Sequence, residues 1–267
     1  MDLKKKYGPL AIIAGASEGM GAAFARALAA QGMNLIIVAR RKKNLEALAE
    51  ELIQKHHIEV ETFSCDLSLP DATEQIKLLT TGRLINFMVY NAALSYIGPF
   101  QDNPVTEHLR IAAVNMLTPI GLIHHFGNQM LKQGRGGIVL MSSLAGFQGS
   151  GFLATYAATK AFNRILAESL WYEWKSKGVD VIACCAGATA TPNYIRSMPG
   201  KTSFAAPQPQ KPEAVVKECM RKLGKVPSFT SGSGNKLAAF LMQHIFSRKK
   251  AINIMGNSTR KMYRIEY

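Results

Sequence analysis

Cysteine is scarce in this 267-residue sequence. The four that occur, Cys65, Cys184, Cys185 and Cys219, show no spacing typical of metal ligands. The only close pair is adjacent in sequence, where a disulfide bridge would be strained. We therefore expect no metal site and no disulfide framework, and the simplest setting for such a chain is a reducing, cytoplasmic one.

Long apolar runs are also missing. No stretch approaches the ~20 apolar residues that a membrane-spanning helix needs. Lys4, Lys5 and Lys6 precede the apolar segment "LAIIAGA", which superficially resembles the start of a signal peptide. Because that segment is short and leads directly into a glycine motif, we expect it to belong to the folded domain.

Acidic residues are outnumbered, with 18 Asp and Glu against 32 Lys and Arg, and the net charge is +14. Most of the excess lies in residues 201–267, which hold 13 basic and 3 acidic side chains. No interleaving of aromatic and basic residues accompanies this charge, so we predict no nucleic-acid binding. The basic character belongs to the C-terminal segment.

Within that segment, "KLAAFLMQHIFSRKK" has the spacing of an amphipathic helix followed by a basic cluster. Two interpretations remain open. The helix packs on the domain with its lysines in solvent, or it makes peripheral contact with an anionic membrane. The residues concerned are Leu237, Phe240, Leu241 and Ile245, then Arg248, Lys249 and Lys250.

Strand-length apolar runs alternate with segments of helical periodicity, as in "NLIIVA" followed by "NLEALAEELIQ". This alternation predicts an α/β fold of the Rossmann type, a doubly wound parallel sheet with helices on both faces. We expect a single domain over residues 1–267, with a core at 1–200 and a basic extension at 201–267. Stretches rich in proline, glycine and serine predict loops at 207–213 and 228–236.

A glycine-rich turn, "AGASEGMG", joins the first predicted strand to the first helix. Gly15, Gly19 and Gly21 have GxxxGxG spacing, and Ser17 lies in the same turn. Such a turn lets backbone amides approach a pyrophosphate at a helix N-terminus, where the helix dipole favours negative charge. Placed after a first strand, it favours a dinucleotide site over a merely tight turn.

The second predicted strand ends in "VARRKK", which puts Arg40 where an acidic residue would bind the ribose hydroxyls of NAD. An arginine there suits a 2′-phosphate, so we predict NADP(H) as cofactor, with Arg41 in support. A solvated charge run is the alternative. Glu18, in the phosphate turn, weakens the argument.

Tyr156 and Lys160 lie four residues apart in "TYAATKAF" and would share one helix face. An ammonium ~4 Å from a phenolate stabilises it by ~4 kcal/mol at an effective dielectric of ~20, enough to lower the phenol pKa by ~3 units. We therefore predict that Tyr156 exchanges protons near neutral pH. The alternative is that Tyr156 and Lys160 lie on a helix surface and have no catalytic role.

Together these motifs resemble the short-chain dehydrogenase/reductase family over about residues 8–195. The glycine turn is followed, in family order, by "NAA" at 91–93, by Asn115 in "AAVNMLTP", by Ser143 in "IVLMSSLAG", and by Tyr156 with Lys160. The resemblance implies a catalytic tetrad of Asn115, Ser143, Tyr156 and Lys160.

The resemblance also implies a role for each residue. Tyr156 would be the acid/base, Ser143 rather than Ser142 would polarise the carbonyl, and Asn115 would hold a water that relays protons to Lys160. The cofactor would be bound by Lys160 at its ribose and by Gly15, Ser17, Gly19, Gly21, Arg40, Asp66, Asn91 and Thr191, with Asp66 facing the adenine and Thr191 the carboxamide.

We therefore expect an NADPH-dependent oxidoreductase of a ketone or aldehyde and the matching alcohol, and a homodimer or homotetramer. The alternative is a non-catalytic relative that binds a dinucleotide or a protein partner. An apolar substrate is predicted because the segments that wall the pocket in this family are apolar here, apart from Gln148 and Arg196. The apolar residues are Phe147, Phe152, Leu153, Tyr194, Ile195 and Met198.

Overall fold

The computed structural model describes residues 2–197 and 209–266. The strands are β1 Leu10–Ala14, β2 Asn34–Ala39, β3 Val60–Ser64, β4 Phe87–Tyr90, β5 Gly136–Ser143, β6 Val179–Ala186 and β7 Ser228–Thr230. The helices are α1 Leu3–Tyr7, α2 Gly19–Ala29, α3 Lys42–His56, α4 Ala72–Leu79, α5 Val105–Ala112, α6 Thr118–Gln133, α7 Ala154–Trp174, α8 Pro192–Ser197, α9 Pro212–Lys222, α10 Ser233–Phe240 and α11 Arg248–Tyr263.

All seven strands of the described residues form one parallel sheet in the order β3-β2-β1-β4-β5-β6-β7. Chain connections run outward in opposite directions from β1 and β4, which are neighbours. In a doubly wound sheet the crevice at this switch point, beyond the carboxyl ends of the strands, is where ligands bind. The predicted α/β fold of the Rossmann type is confirmed.

Successive side chains of a strand point to opposite faces of the sheet, and here both faces are covered by helices. Ile13 belongs to a core formed with α1, α2, α3 and α9, whereas Ile12 belongs to a second core formed with α4, α6 and α7. The central strands are therefore apolar along their whole length, as the sequence pattern predicted.

The seventh strand was missed by the sequence pattern. The predicted loop at 228–236 contains β7, which pairs with β6 at the edge of the sheet, and the start of α10 at Ser233. The prediction of a loop there is wrong because three residues are too few to show a period, so the pairing is set by the neighbouring strand rather than by the local sequence.

The C-terminal extension is helical, as predicted, but it is interrupted. A π-helical turn, Leu241–Ile245, follows α10, and the extended backbone at Phe246 separates it from α11. Leu237, Phe240 and Ile245 are 60%, 52% and 60% exposed. The interpretation that this face packs on the domain is therefore wrong for these three side chains.

Among the described residues, no helix combines the length and the apolar character needed to cross a bilayer.

Candidate active site

The glycine turn between β1 and α2 is shaped for close backbone approach. Gly15 has φ +86°, and a Cβ on it would lie 2.5 Å from the Ala92 nitrogen. A Cβ on Gly21 would collide with the Gly15 carbonyl oxygen. Because only glycine fits these positions, the turn stays narrow and the N-terminus of α2 is open to an anionic group.

Asn91 fixes this turn from the neighbouring strand. It follows β4, and its Nδ2 donates to the Gly15 carbonyl oxygen at 2.8 Å while its backbone nitrogen donates to Ala14. Thr191, after β6, packs its methyl group at the place where a Gly19 side chain would lie. Residues from the ends of β1, β4 and β6 thus surround one crevice.

The remaining predicted cofactor residues lie at the ends of β2 and β3. Arg40 is exposed, and among the described residues no hydrogen bond or ion pair holds its guanidinium. Asp66 accepts hydrogen bonds from the Ser68 amide and hydroxyl at 3.0 and 2.8 Å. Burial opposes ionisation of Asp66, but these bonds and the charge of Arg40 leave its pKa below the ordinary value. Ser17 accepts a hydrogen bond from Arg41 at 2.9 Å.

Ser143 and Ser142 end β5 and point in different directions. The Ser142 hydroxyl is buried and donates to the Lys160 carbonyl oxygen at 2.7 Å. Ser143 accepts from the Ala145 amide at 3.2 Å, and its hydroxyl acts to lower the pKa of the Tyr156 phenol. The choice of Ser143 over Ser142 as the group that polarises the carbonyl stays a prediction.

Tyr156 and Lys160 lie on the same face of α7, as their spacing predicted. The Lys160 ammonium is 5.6 Å from the centre of the Tyr156 ring and donates to the Met141 carbonyl oxygen at 2.8 Å. Burial lowers the pKa of Lys160 to about 8. An ammonium has three N–H groups, so two remain for other partners.

The predicted lowering of the Tyr156 pKa is wrong for this structure. Burial, the largest effect, raises the pKa of Tyr156 above its ordinary value, and the hydrogen bond with Ser143 opposes that rise without cancelling it. Lys160 is not among the groups that shift the pKa of Tyr156, so the electrostatic effect assumed from the sequence is absent here.

Asn115 lies in a π-helical turn, Ala113–Leu117, between α5 and α6. Its side chain is fully buried, exchanging two hydrogen bonds of 2.9 Å with the Leu94 backbone and donating a third to Thr159 Oγ1 at 2.9 Å. The Thr159 hydroxyl in turn donates to the Tyr156 carbonyl oxygen at 2.8 Å. The chain from Leu94 to Tyr156 fixes the loop after β4 against α7.

Two features of the site escaped the sequence interpretation. The first is Thr159, for which the sequence analysis predicts no role although its hydroxyl lies between Tyr156 and Lys160 in the motif. The second feature is helix α11, which lies on the loop after Ser143. Arg248 donates to the Phe147 carbonyl oxygen at 2.9 Å, and a Cβ on Gly151 would lie 3.2 Å from the Gly256 Cα.

The predicted apolar pocket residues do not all face inward. Ile195 is 63% exposed, and Met198 lies outside the described residues. Phe152 adopts a left-handed backbone with φ +63°, a conformation that costs energy for a bulky residue. Gln148, the polar exception, is buried and donates to the Leu144 carbonyl oxygen at 3.2 Å.

Fold and site together define an α/β protein of the dinucleotide-binding type, with a cluster of Ser143, Tyr156 and Lys160 at the end of its fifth strand. The sequence profile described as short chain dehydrogenase matches residues 9–201. The chain therefore belongs to the short-chain dehydrogenase family, and it is an oxidoreductase of the hydroxyl/carbonyl pair that uses a nicotinamide dinucleotide.

Individual relatives agree with this assignment. The 7beta-hydroxysteroid dehydrogenase of Mediterraneibacter gnavus is 36% identical over 259 residues, which are 96% of this chain and 98% of the relative. A structure described for 7beta-hydroxysteroid dehydrogenase stereoselectivity has a TM-score of 0.89 at 34% identity, covering 96% of this chain and 99% of that one. A short-chain dehydrogenase from Sphingobium yanoikuyae in complex with NADPH has a TM-score of 0.75 at 27% identity, covering 84% and 87%.

Proposed function

We propose that this protein is an NADPH-dependent oxidoreductase that interconverts a ketone and a secondary alcohol on a bulky apolar frame, namely a steroid substituted at position 7. The observation that carries the reaction type is the cluster of Ser143, Tyr156 and Lys160 at the end of β5, which a non-catalytic relative would have no reason to keep. The crevice that holds the glycine turn lies beside it.

A bound nicotinamide supplies or accepts the hydride, and the chain's own residues manage the proton and the charge. Tyr156 Oη donates a proton to the substrate oxygen during reduction and removes it during oxidation. The Ser143 hydroxyl donates a hydrogen bond to the same oxygen as negative charge develops there. Lys160 has two N–H groups beyond the one bound to Met141, which serve the phenol and the cofactor ribose.

Asn115 has a positioning role in this proposal. Its amide groups are bonded to Leu94 and Thr159, so the proton-relay water predicted from the sequence would be held by its backbone carbonyl or by the second lone pair of Oδ1. Thr159 links this amide to the Tyr156 backbone. The pair therefore sets the position of α7 relative to the loop after β4.

The preference for NADPH is supported by Arg40, whose guanidinium lies exposed at the end of β2. A 2′-phosphate beside it would gain a charge-assisted hydrogen bond. The NADPH complex of the Sphingobium yanoikuyae relative is consistent with this cofactor.

The apolar steroid substrate is supported by the names of the relatives and by the apolar residues of the loop after Ser143. Phe147 and Phe152 lie in the loop after Ser143, and Ile252 of α11 packs 3.4 Å from a Cβ built on Gly149. Arg196, the second polar exception in these segments, pairs with Glu18 at 2.7 Å rather than standing free to bind a substrate carboxylate. Burying apolar area at ~25 cal/mol per Å² favours a large hydrophobic substrate.

The decisive experiment offers NADP to the enzyme with a matched pair of 7α- and 7β-hydroxysteroids and follows absorbance of the reduced nicotinamide. We expect turnover of the 7β epimer and little of the 7α epimer. A small hydroxy-acid or sugar alcohol serves as the polar comparison. Faster turnover of that polar compound than of either steroid would contradict the proposed substrate.

A homodimer or homotetramer is also proposed. Large apolar side chains are exposed along the α5 to α6 segment and on α7, as a subunit interface requires; they are Val105, Leu109, Leu117, Ile120 and Ile165. Light scattering at micromolar concentration tests this, and a monomeric mass would reject it.

Peripheral contact of the C-terminal helices with an anionic membrane is proposed on the exposed Leu237, Phe240 and Ile245. Co-sedimentation with anionic vesicles at physiological salt is the test, with neutral vesicles as control. Absence of binding would leave these side chains without a membrane role.

A further inference from the structure

Glu18, in the glycine turn, is shared by two arginines from different parts of the chain. Arg41 Nη1 lies 2.8 Å from Glu18 Oε2, and Arg196 Nη2 lies 2.7 Å from Glu18 Oε1. Glu18 keeps 20% of its side chain exposed. Hydrogen bonding from Arg41, followed by that from Arg196, holds the pKa of this carboxyl below its ordinary value, so it is charged at neutral pH.

Arg41 is held at both ends of its guanidinium fork. Its second nitrogen donates to Ser17 Oγ at 2.9 Å, within the same turn. Arg40 and Arg41 stand together at the end of β2, where a 2′-phosphate is proposed to bind. Of these two arginines, Arg41 is neutralised by a carboxylate and Arg40 is not.

Arg196 connects the same carboxylate to the substrate side. It lies on α8, whose first turn is closed by a hydrogen bond from the Tyr194 amide to Thr191 Oγ1 at 3.2 Å. Thr191 itself contacts Gly19. Helix α8 is therefore joined to the phosphate turn at two points, the Thr191 methyl group and the Arg196 ion pair.

We propose that Glu18 is a specificity-determining residue that competes with the cofactor 2′-phosphate for Arg41 and couples that phosphate to α8. This inference rests on the proposed use of NADPH. A phosphate that draws Arg41 away leaves Glu18 to Arg196, which then holds α8 more firmly on the phosphate turn. Coupling of this kind is reciprocal, so changes at Arg196 alter the affinity for the phosphate.

The signs of the effects are specific. Glu18→Gln removes a negative charge that would repel the 2′-phosphate and also frees Arg41, so the affinity for the phosphate rises. Arg196→Gln leaves Glu18 without a partner when Arg41 departs, so the affinity falls. When both substitutions are combined, Arg196→Gln no longer lowers the affinity for the phosphate, because Arg196 acts through Glu18. A direct attraction between Arg196 and the phosphate would instead persist without Glu18.

Calorimetric titration with 2′,5′-ADP and with 5′-AMP isolates the phosphate, since the ratio of the two dissociation constants cancels changes in adenine binding. We expect Glu18→Gln to raise the preference for 2′,5′-ADP by about 5-fold and Arg196→Gln to lower it by a similar factor. Glu51→Gln is the matched control. It breaks another arginine–carboxylate pair, with Arg26 at 2.6 Å, and leaves the preference unchanged.

Hydrogen exchange gives a second measurement. In the wild type, 2′,5′-ADP should protect the amides of residues 193–197 more than 5′-AMP does, and Glu18→Gln should abolish the difference. Equal binding of the two ligands by the wild type would reject the NADPH proposal itself. A wild-type preference for 2′,5′-ADP that Glu18→Gln leaves unchanged or lowers would overturn the role of Glu18, and a loss at Arg196 that persists in the double variant would overturn the coupling.

Discussion

The adjacent serines at the end of β5 provide a sharp test of the proposed chemistry. Ser142 and Ser143 differ by one position, yet the Ser142 hydroxyl is bonded to the Lys160 carbonyl oxygen whereas the Ser143 hydroxyl lowers the pKa of Tyr156. Changing either serine to alanine removes one hydroxyl group. We expect the first change to reduce stability and the second to reduce turnover.

The magnitude for Ser143→Ala follows from its proposed hydrogen bond to the substrate oxygen. Loss of one donor to a developing oxyanion lowers kcat by roughly 10²- to 10³-fold. The hydroxyl also accepts from the Ala145 amide at 3.2 Å, where loss of a cap costs about 1 kcal/mol. Ser143→Thr keeps the hydroxyl and should retain much more activity than the alanine variant.

Ser142→Ala removes a buried hydrogen bond of 2.7 Å and leaves the Lys160 carbonyl oxygen with one partner fewer. The expected loss of unfolding free energy is about 1–2 kcal/mol, which lowers Tm by roughly 2–8 °C in a protein of this size. Turnover at 25 °C should stay within a few-fold of wild type. The measurements are initial rates with saturating NADPH and thermal unfolding of the same samples. Equal rate losses for both variants would refute the separation of roles.

Four further predictions concern the cofactor, the phenol, the lysine and the assembly. Arg40→Ala should lower the affinity for NADPH by about 10- to 100-fold while leaving NADH binding nearly unchanged, which fluorescence titration would show. Tyr156→Phe should abolish turnover yet bind NADPH normally, and retained activity would contradict its role. The contribution of Lys160 to stability should rise with pH between about 8 and 10.5, because there the unfolded chain keeps a Lys160 proton that the folded chain loses. It is measured as the difference between the wild type and Lys160→Met, since the raised pKa values of the buried Cys65 and Cys185 lower the stability of both proteins over the same range. In urea titrations that gain, up to about 3 kcal/mol, should be missing from Lys160→Met. Leu117→Glu, on the proposed interface, should shift the mass by light scattering toward the monomer.

The fold was predictable because most strands are marked by apolar runs in their own local sequence. Six apolar runs and the glycine turn follow from local sequence, and Tyr156 and Lys160 share a helix face by spacing alone. The ion pair between Glu18 and Arg196 joins residues 178 positions apart, so no local pattern indicates it. The pKa of Tyr156 depends on burial, which the motif does not describe. The contact of α11 with the loop after Ser143 depends on tertiary packing. The close approach of Gly151 to Gly256 that makes it possible has no signal in the local sequence.

The π-helical turn around Asn115 also limits how the chain can change in length. In this turn the Thr118 amide bonds to the Ala113 carbonyl oxygen, five residues back, so the helix from α5 to α6 holds one residue more than a regular helix would. Deleting that residue would restore regular bonding and leave the two halves of the helix in place, but it would remove the bulge that aims the Asn115 side chain. The Asn115 amide would then leave Leu94 and Thr159, so single-residue deletions between α5 and α6 should be far less tolerated than substitutions on their solvent face.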